Sequence, residues 1–240
     1  MRAAFGYFSV LPVGGAGPPT AAAAAWLPLV GAVLGALAGA AGLLVARGSH
    51  PLGVAVAFAL SVLLTGAIHV DGFADACDAL FANVSVERRL EIFRDPRHGT
   101  FALAGAVAIA ALWLAALASI DARAYPVVLA LVFAAARWGA VVHMLGAPHA
   151  RPAEPSPAFA QRPSLVVLIA ELAAIVAAAA FAVAPRAGAI VATVTCFAVA
   201  TGAVAFGRRR LAGAVVGDVY GFAIVVAETA GLAAFALTPR

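Results

Sequence analysis

The chain has 240 residues, of which 65% are hydrophobic and only 11% charged, and its formal net charge of +4 comes from arginine alone on the basic side, since lysine is absent. A soluble domain has about 25% charged residues, so this composition excludes a chain that covers itself with polar groups in water. The arginines cluster between apolar stretches instead of lining one amphipathic face, which argues against nucleic acid as a partner and reads as membrane topology. Cys77 and Cys196 lack the spacing of a disulfide framework or a zinc site.

In chain order, residues 1–19 hold one arginine and a short apolar patch broken by Pro12 and the Gly/Pro run 14–19, which argues against a removable signal peptide. Apolar stretches at 24–46, 52–70, 101–120, 126–147, 164–184, 188–206 and 221–237 follow. About 17–25 apolar residues suffice to cross the hydrocarbon core as a helix. The expected fold is therefore all-α: a polytopic membrane helix bundle of about seven transmembrane helices, forming one catalytic domain over 1–240. Abundant Ala and Gly suit close helix packing in lipid.

The long connections 71–100, 148–163 and 207–220 fall on one side. That side carries ten arginines (Arg2, Arg88, Arg89, Arg94, Arg97, Arg151, Arg162, Arg208, Arg209, Arg210) against four on the other (Arg47, Arg123, Arg186, Arg240), with Arg137 inside a span. Cytoplasmic loops hold the basic excess, so the long loops are expected in the cytoplasm, in a multi-pass protein of the cell (inner) membrane.

Where the second stretch reaches that side stands His69-Val-Asp-Gly-Phe-Ala-Asp-Ala-Cys-Asp78. Asp71, Asp75 and Asp78 are spaced i, i+4, i+7 and lie within about 60° of one another on a helix. Like charges this close repel, and a divalent cation relieves the repulsion. Hard oxygen ligands favour Mg²⁺, which shares its shell with substrate phosphates.

Downstream, Leu90 and Phe93 share a face of a short interfacial helix that Pro96 is expected to end. Gly99 and Thr100 open the next span, whose first N–H groups suit a phosphate, with Arg94 and Arg97 able to add charge-assisted hydrogen bonds. In 207–220, Gly213, Gly217 and Gly221 permit close backbone approach, and Asp218 is the sole acid. Arg137 and Glu228 lie inside spans, where charge is costly, and read either as functional groups or as partners of each other.

The pattern His69-x-Asp71-Gly72-x-x-Asp75-x-x-Asp78, then Arg94-Asp95-x-Arg97-x-Gly99-Thr100, then Gly217-Asp218-x-x-Gly221, closely resembles the cobalamin synthase family, the adenosylcobinamide-GDP ribazoletransferases. Phe8-Ser9-x-Leu11-Pro12, Pro28-Leu29-x-Gly31 and the separation of Arg137 from Arg151 extend the resemblance over nearly the whole chain. Two departures stand out. Val216 replaces the threonine of the family's Gly-Gly-x-Thr-Gly-Asp run, and Pro152-Ala-Glu154 replaces a glycine-containing stretch.

The resemblance implies Mg²⁺-dependent transfer of the cobinamide phosphoryl group of adenosylcobinamide-GDP to α-ribazole or α-ribazole 5′-phosphate, with release of GMP. It implies metal ligation by Asp71, Asp75, Asp78 and Asp218, and substrate binding by His69, Gly72, Arg94, Arg97, Gly99, Thr100, Arg137 and Arg151. Asp78 or Asp95 is the expected proton acceptor. The bilayer is a partner, and a homo-oligomer is left open. Competing classes are a CDP-alcohol phosphatidyltransferase-like enzyme, whose Asp-Gly-x-x-Ala-Arg pattern is not met at Cys77-Asp78, and a secondary transporter, for which no repeat of the Asp71 motif is found in the second half. A non-catalytic membrane subunit would leave three aligned aspartates without a purpose.

Overall fold

The structure, a computed structural model, describes residues 1–13, 21–146, 162–181 and 185–239. Its regular elements are helical: α1 (Arg2–Phe8), α2 (Ala21–Ala24), α3 (Leu27–Ala46), α4 (His50–Leu63), α5 (Ile68–Phe81), α6 (Val86–Ile92), α7 (Thr100–Ala118), α8 (Tyr125–Val141), α9 (Leu165–Phe181), α10 (Arg186–Arg210) and α11 (Gly217–Leu237). Among the described residues five helical segments are long and apolar enough to cross a membrane, and six if α4 and α5 count as one bent span. Over its described residues α9 has 17 residues and is the shorter apolar helix among the expected seven stretches.

The bundle is a multi-pass membrane protein whose outer surface stays apolar. Leu103, Val107 and Leu112 on α7, and Val166, Ile169 and Phe181 on α9, are exposed, as lipid-facing side chains are. Inside, α3 lies against α8 backbone to backbone. A Cβ on Gly31 would stand 2.8 Å from the Phe133 carbonyl oxygen, and one on Gly39 2.5 Å from that of Tyr125, so this ridge admits only glycine. At the start of α3 the Leu29 N–H donates to Glu171 Oε1 of α9 at 3.2 Å. This intramembrane acid thus meets an otherwise orphaned helix-terminal donor.

The second apolar stretch does not run straight to residue 70. Gly66 and Ala67 adopt φ of 62° and 58°, a left-handed pair that cannot continue a right-handed helix, and α5 leaves α4 at 82°. The acidic motif therefore rides on its own helix, packed against α7 and α11. Two arginines fix the far end of α5. Arg89 donates to the carbonyls of Ala79 and Ala82, both at 2.7 Å, and Arg210 to those of Leu80 and Ala82, both at 2.8 Å. These are the orphan acceptors of a helix C-terminus, where cations are favoured.

The short interfacial helix forms as α6, with Ser85 Oγ accepting from the Arg88 N–H at 3.3 Å. It stops at Ile92, before Pro96. The start of α3, the start of α5, the end of α8 and the start of α11 meet at one end of the bundle. Residues 119–124, Pro185 and the end of α11 meet at the other. Residues 68–72 and 217–221, next to the first and third long connections, thus lie at a shared end.

Candidate active site

Glycine decides how α5 meets α11. A Cβ on Gly72 would lie 3.0 Å from the Asp218 Cα, and one on Gly221 would lie 3.2 Å from the His69 carbonyl oxygen and 3.3 Å from the Gly72 Cα. Only bare backbone allows this approach, and it sets Asp218, in the first turn of α11, beside the acidic motif. Gly72 thus sets how closely α5 packs on α11. Val216 is the N-cap of α11 and has no side-chain cap hydrogen bond. The family's threonine has the hydroxyl that such a position favours.

His69, Asp71, Gly72, Gly217, Asp218 and Tyr220 line a cavity of about 160 Å³ at this end of the bundle. Next to it lies a residue that spacing alone did not single out. The His98 imidazole sits between two carboxylates of α5, Nδ1 3.3 Å from Asp75 Oδ1 and Nε2 3.9 Å from Asp71 Oδ1. When protonated it supplies the positive charge that the pair lacks. Its signal in the sequence was slight: one of five histidines, at an unassigned position of the second motif.

Asp78 is turned to other work. Its Oδ2 accepts the Gly99 N–H at 2.5 Å and its Oδ1 the Ala102 N–H at 3.0 Å, so it caps α7 from a neighbouring helix. The helix start expected to take a phosphate through Gly99 and Thr100 thus meets an anion of the chain itself. Gly99 is glycine because a Cβ there would stand 2.9 Å from Asp78 Oδ1.

Asp95 and Arg97 satisfy each other. Arg97 Nε donates to Asp95 Oδ1 at 2.9 Å and its terminal nitrogen to Oδ2 at 2.7 Å. The hydrogen bonds from Arg97 hold the Asp95 carboxyl down at about 2. Arg94 and Thr100 are exposed on the same connection. Arg137 lies away from the loop-end cavity, 2% exposed and paired with Glu228, and lines a second cavity in the bundle. Arg151 and Glu154 lie outside the described residues.

Among the described residues no three His, Cys, Asp or Glu side chains converge on one metal position. Of the four aspartates expected to hold the metal, Asp78 accepts two N–H groups of α7. The remaining donors still fit Mg²⁺ in kind: Asp71 and Asp218 line one cavity, and Asp71 and Asp75 flank one imidazole. Mg²⁺ is commonly held by one or two carboxylates, with water and substrate phosphate completing the shell.

A polytopic helix bundle with carboxylates gathered around a cavity at its loop end defines a membrane-embedded protein with a polar site at the membrane edge. The family model for cobalamin-5-phosphate synthase matches residues 1–236, and the chain belongs to that family. Three curated relatives are adenosylcobinamide-GDP ribazoletransferases. That of Bradyrhizobium diazoefficiens is 39% identical over 63% of this chain and 61% of its own length. That of Ralstonia nicotianae is 39% identical over 62% and 61%, and that of Ralstonia pickettii 36% identical over 66% and 65%. The chain thus spans a little under two thirds of the length of these relatives. No solved structure matches it.

Proposed function

We propose that the protein transfers the cobinamide phosphoryl group of adenosylcobinamide-GDP to α-ribazole or α-ribazole 5′-phosphate, releasing GMP and closing the nucleotide loop of the corrinoid. The family match over 1–236 supports this reading most strongly, and carboxylates around a cavity at the loop end suit it chemically. The acceptor hydroxyl attacks the phosphorus that bears cobinamide. A new P–O bond forms as the bond to the GMP phosphate oxygen breaks, and the hydroxyl proton passes to a carboxylate of the site.

Held by two of Asp71, Asp75 and Asp218 together with the diphosphate, Mg²⁺ would supply neutralisation of the charge that grows on the leaving GMP. The aspartates orient that diphosphate, and the packed α5–α11 contact keeps them in place, so positioning supplies much of the rate. The domain works as one membrane-embedded unit in the inner membrane. The ten-to-four arginine bias supports a cytoplasmic loop end, where nucleotides are available.

The test is GMP release by the purified chain from adenosylcobinamide-GDP. Release is expected only with both α-ribazole and a divalent cation present. Release without any acceptor would indicate a hydrolase, and no release under any condition would sink the reading.

A further inference from the structure

A second cavity, of about 290 Å³ and partly open, lies between α4, α5, α7, α8 and α11. One part of its wall is apolar and partly aromatic: Phe58 and Trp113, with ring centroids 5.2 Å apart, and Ile109. The other part is polar: Thr65, Thr229, and Arg137 paired with Glu228. Both threonine hydroxyls spend their protons within their own helices, Thr65 on the Val62 carbonyl at 2.8 Å and Thr229 on the Val225 carbonyl at 3.0 Å. They face the cavity as acceptors.

His69 lines this chamber and also the loop-end cavity that holds Asp71 and Asp218. It is 7% exposed, and neither of its ring nitrogens has a hydrogen-bond partner. Buried polar atoms are almost always satisfied, so two open nitrogens on one buried ring point to something bound there. Water can occupy the polar part, but it cannot fill the chamber, because a buried water needs two to four polar partners and the Phe58–Ile109–Trp113 part offers none. A charged ligand fits poorly too, since Arg137 and Glu228 already neutralise each other. A flat, neutral nitrogen heterocycle meets every wall: its faces suit the aromatic side and its ring nitrogen the imidazole.

We propose that this chamber receives the aromatic base of the acceptor nucleoside, with His69 at the passage to the site where the nucleoside's hydroxyl reacts. The identity of the nucleoside rests on the ribazole-transfer reading; the heterocycle chamber itself does not.

The experiment uses the full chain in lipid nanodiscs, equilibrium binding of benzimidazole as the probe, and steady-state kinetics with each substrate. Saturable binding is expected. Ala110→Phe, which fills the chamber from α7, should weaken it by about tenfold or more. The same variant should raise KM for α-ribazole by a similar factor and leave KM for adenosylcobinamide-GDP unchanged. Thr229→Val, which keeps the shape and removes one acceptor, is the second variant should Ala110→Phe fail to fold; a weaker loss in the same KM is expected. Absence of saturable benzimidazole binding to the unsubstituted chain would overturn the proposal, and so would an equal rise in both KM values. Benzimidazole binding that Ala110→Phe abolishes, in a chain that releases no GMP with any acceptor, would uphold the chamber while the ribazole-transfer reading fails.

Discussion

The charges of this protein fall in two regions that treat them differently. In the bundle interior Arg137 is almost fully enclosed, donates to the Phe133 carbonyl at 3.1 Å and pairs with Glu228, so the two charges satisfy each other. At the loop end Asp71 and Asp75 face each other across His98 with no arginine between them. An ion pair in a low-dielectric interior is held by its own attraction, whereas carboxylates gathered at a cavity repel one another and invite a cation. The contrast separates charge that supports the fold from charge left for chemistry.

The largest expected effect lies in the interior. Arg137→Met should cost about 3–5 kcal/mol, because it strands Glu228 as an uncompensated buried charge, and Arg137→Met with Glu228→Leu should recover most of that loss. Thermal unfolding in detergent measures both. A double variant no more stable than the single one would show that the pair does more than neutralise itself.

Next come Asp71→Asn and Asp75→Asn, each expected to lower kcat/KM by about a hundredfold or more, since loss of even an outer-shell partner of a metal site costs about 10–100-fold. Their melting temperatures should hold or rise, since each removes repulsion. Turnover retained in both at saturating Mg²⁺ would remove the loop end from the chemistry.

Asp78→Ala divides the loop end itself. It leaves the Gly99 and Ala102 N–H groups without their acceptor, and should lower stability by about 1–2 kcal/mol, as loss of a helix cap does. An activity loss as deep as that of Asp71→Asn, at unchanged stability, would return Asp78 to the reacting groups.

The smallest effect is expected at Arg97, 86% exposed with both prongs on Asp95. Arg97→Lys and Arg88→Lys should each change kcat/KM by less than about threefold, the scale of exposed ion pairs. A loss of tenfold or more at Arg97 alone would reinstate it as a clamp on the diphosphate. The Asp95 carboxyl is depressed from 3.8 to about 2. The order its link to Arg97 lends this connection is therefore present above the ordinary carboxyl value and is lost as pH falls toward 2. No limb of the pH profile near neutrality should come from it.

Much of this was legible in the amino-acid order. The spacing of Asp71, Asp75 and Asp78 places them on one helical face, and α5 is a helix over all three. The glycine at 221 marks a close backbone approach, which occurs against α5, whereas Gly213 meets nothing within 4 Å and instead takes a φ of 93°. The break at Gly66 and Ala67 was not legible, because an apolar run has no mark for a left-handed alanine. Nor was the role of Glu171, whose partner Leu29 stands 142 residues away.

By itself the sequence determined that the chain is helical and membrane-embedded, that its acids concentrate on one segment, and which family's motifs it carries. Those properties follow from local composition and from the helical period. Only the tertiary structure decided what each charge does. Asp78 finds its N–H partners 21 and 24 residues on, Arg137 its carboxylate 91 residues away, and His98 two acids of another helix. Period and spacing define the face a side chain occupies; the neighbouring helix supplies the partner, and packing alone chooses that neighbour.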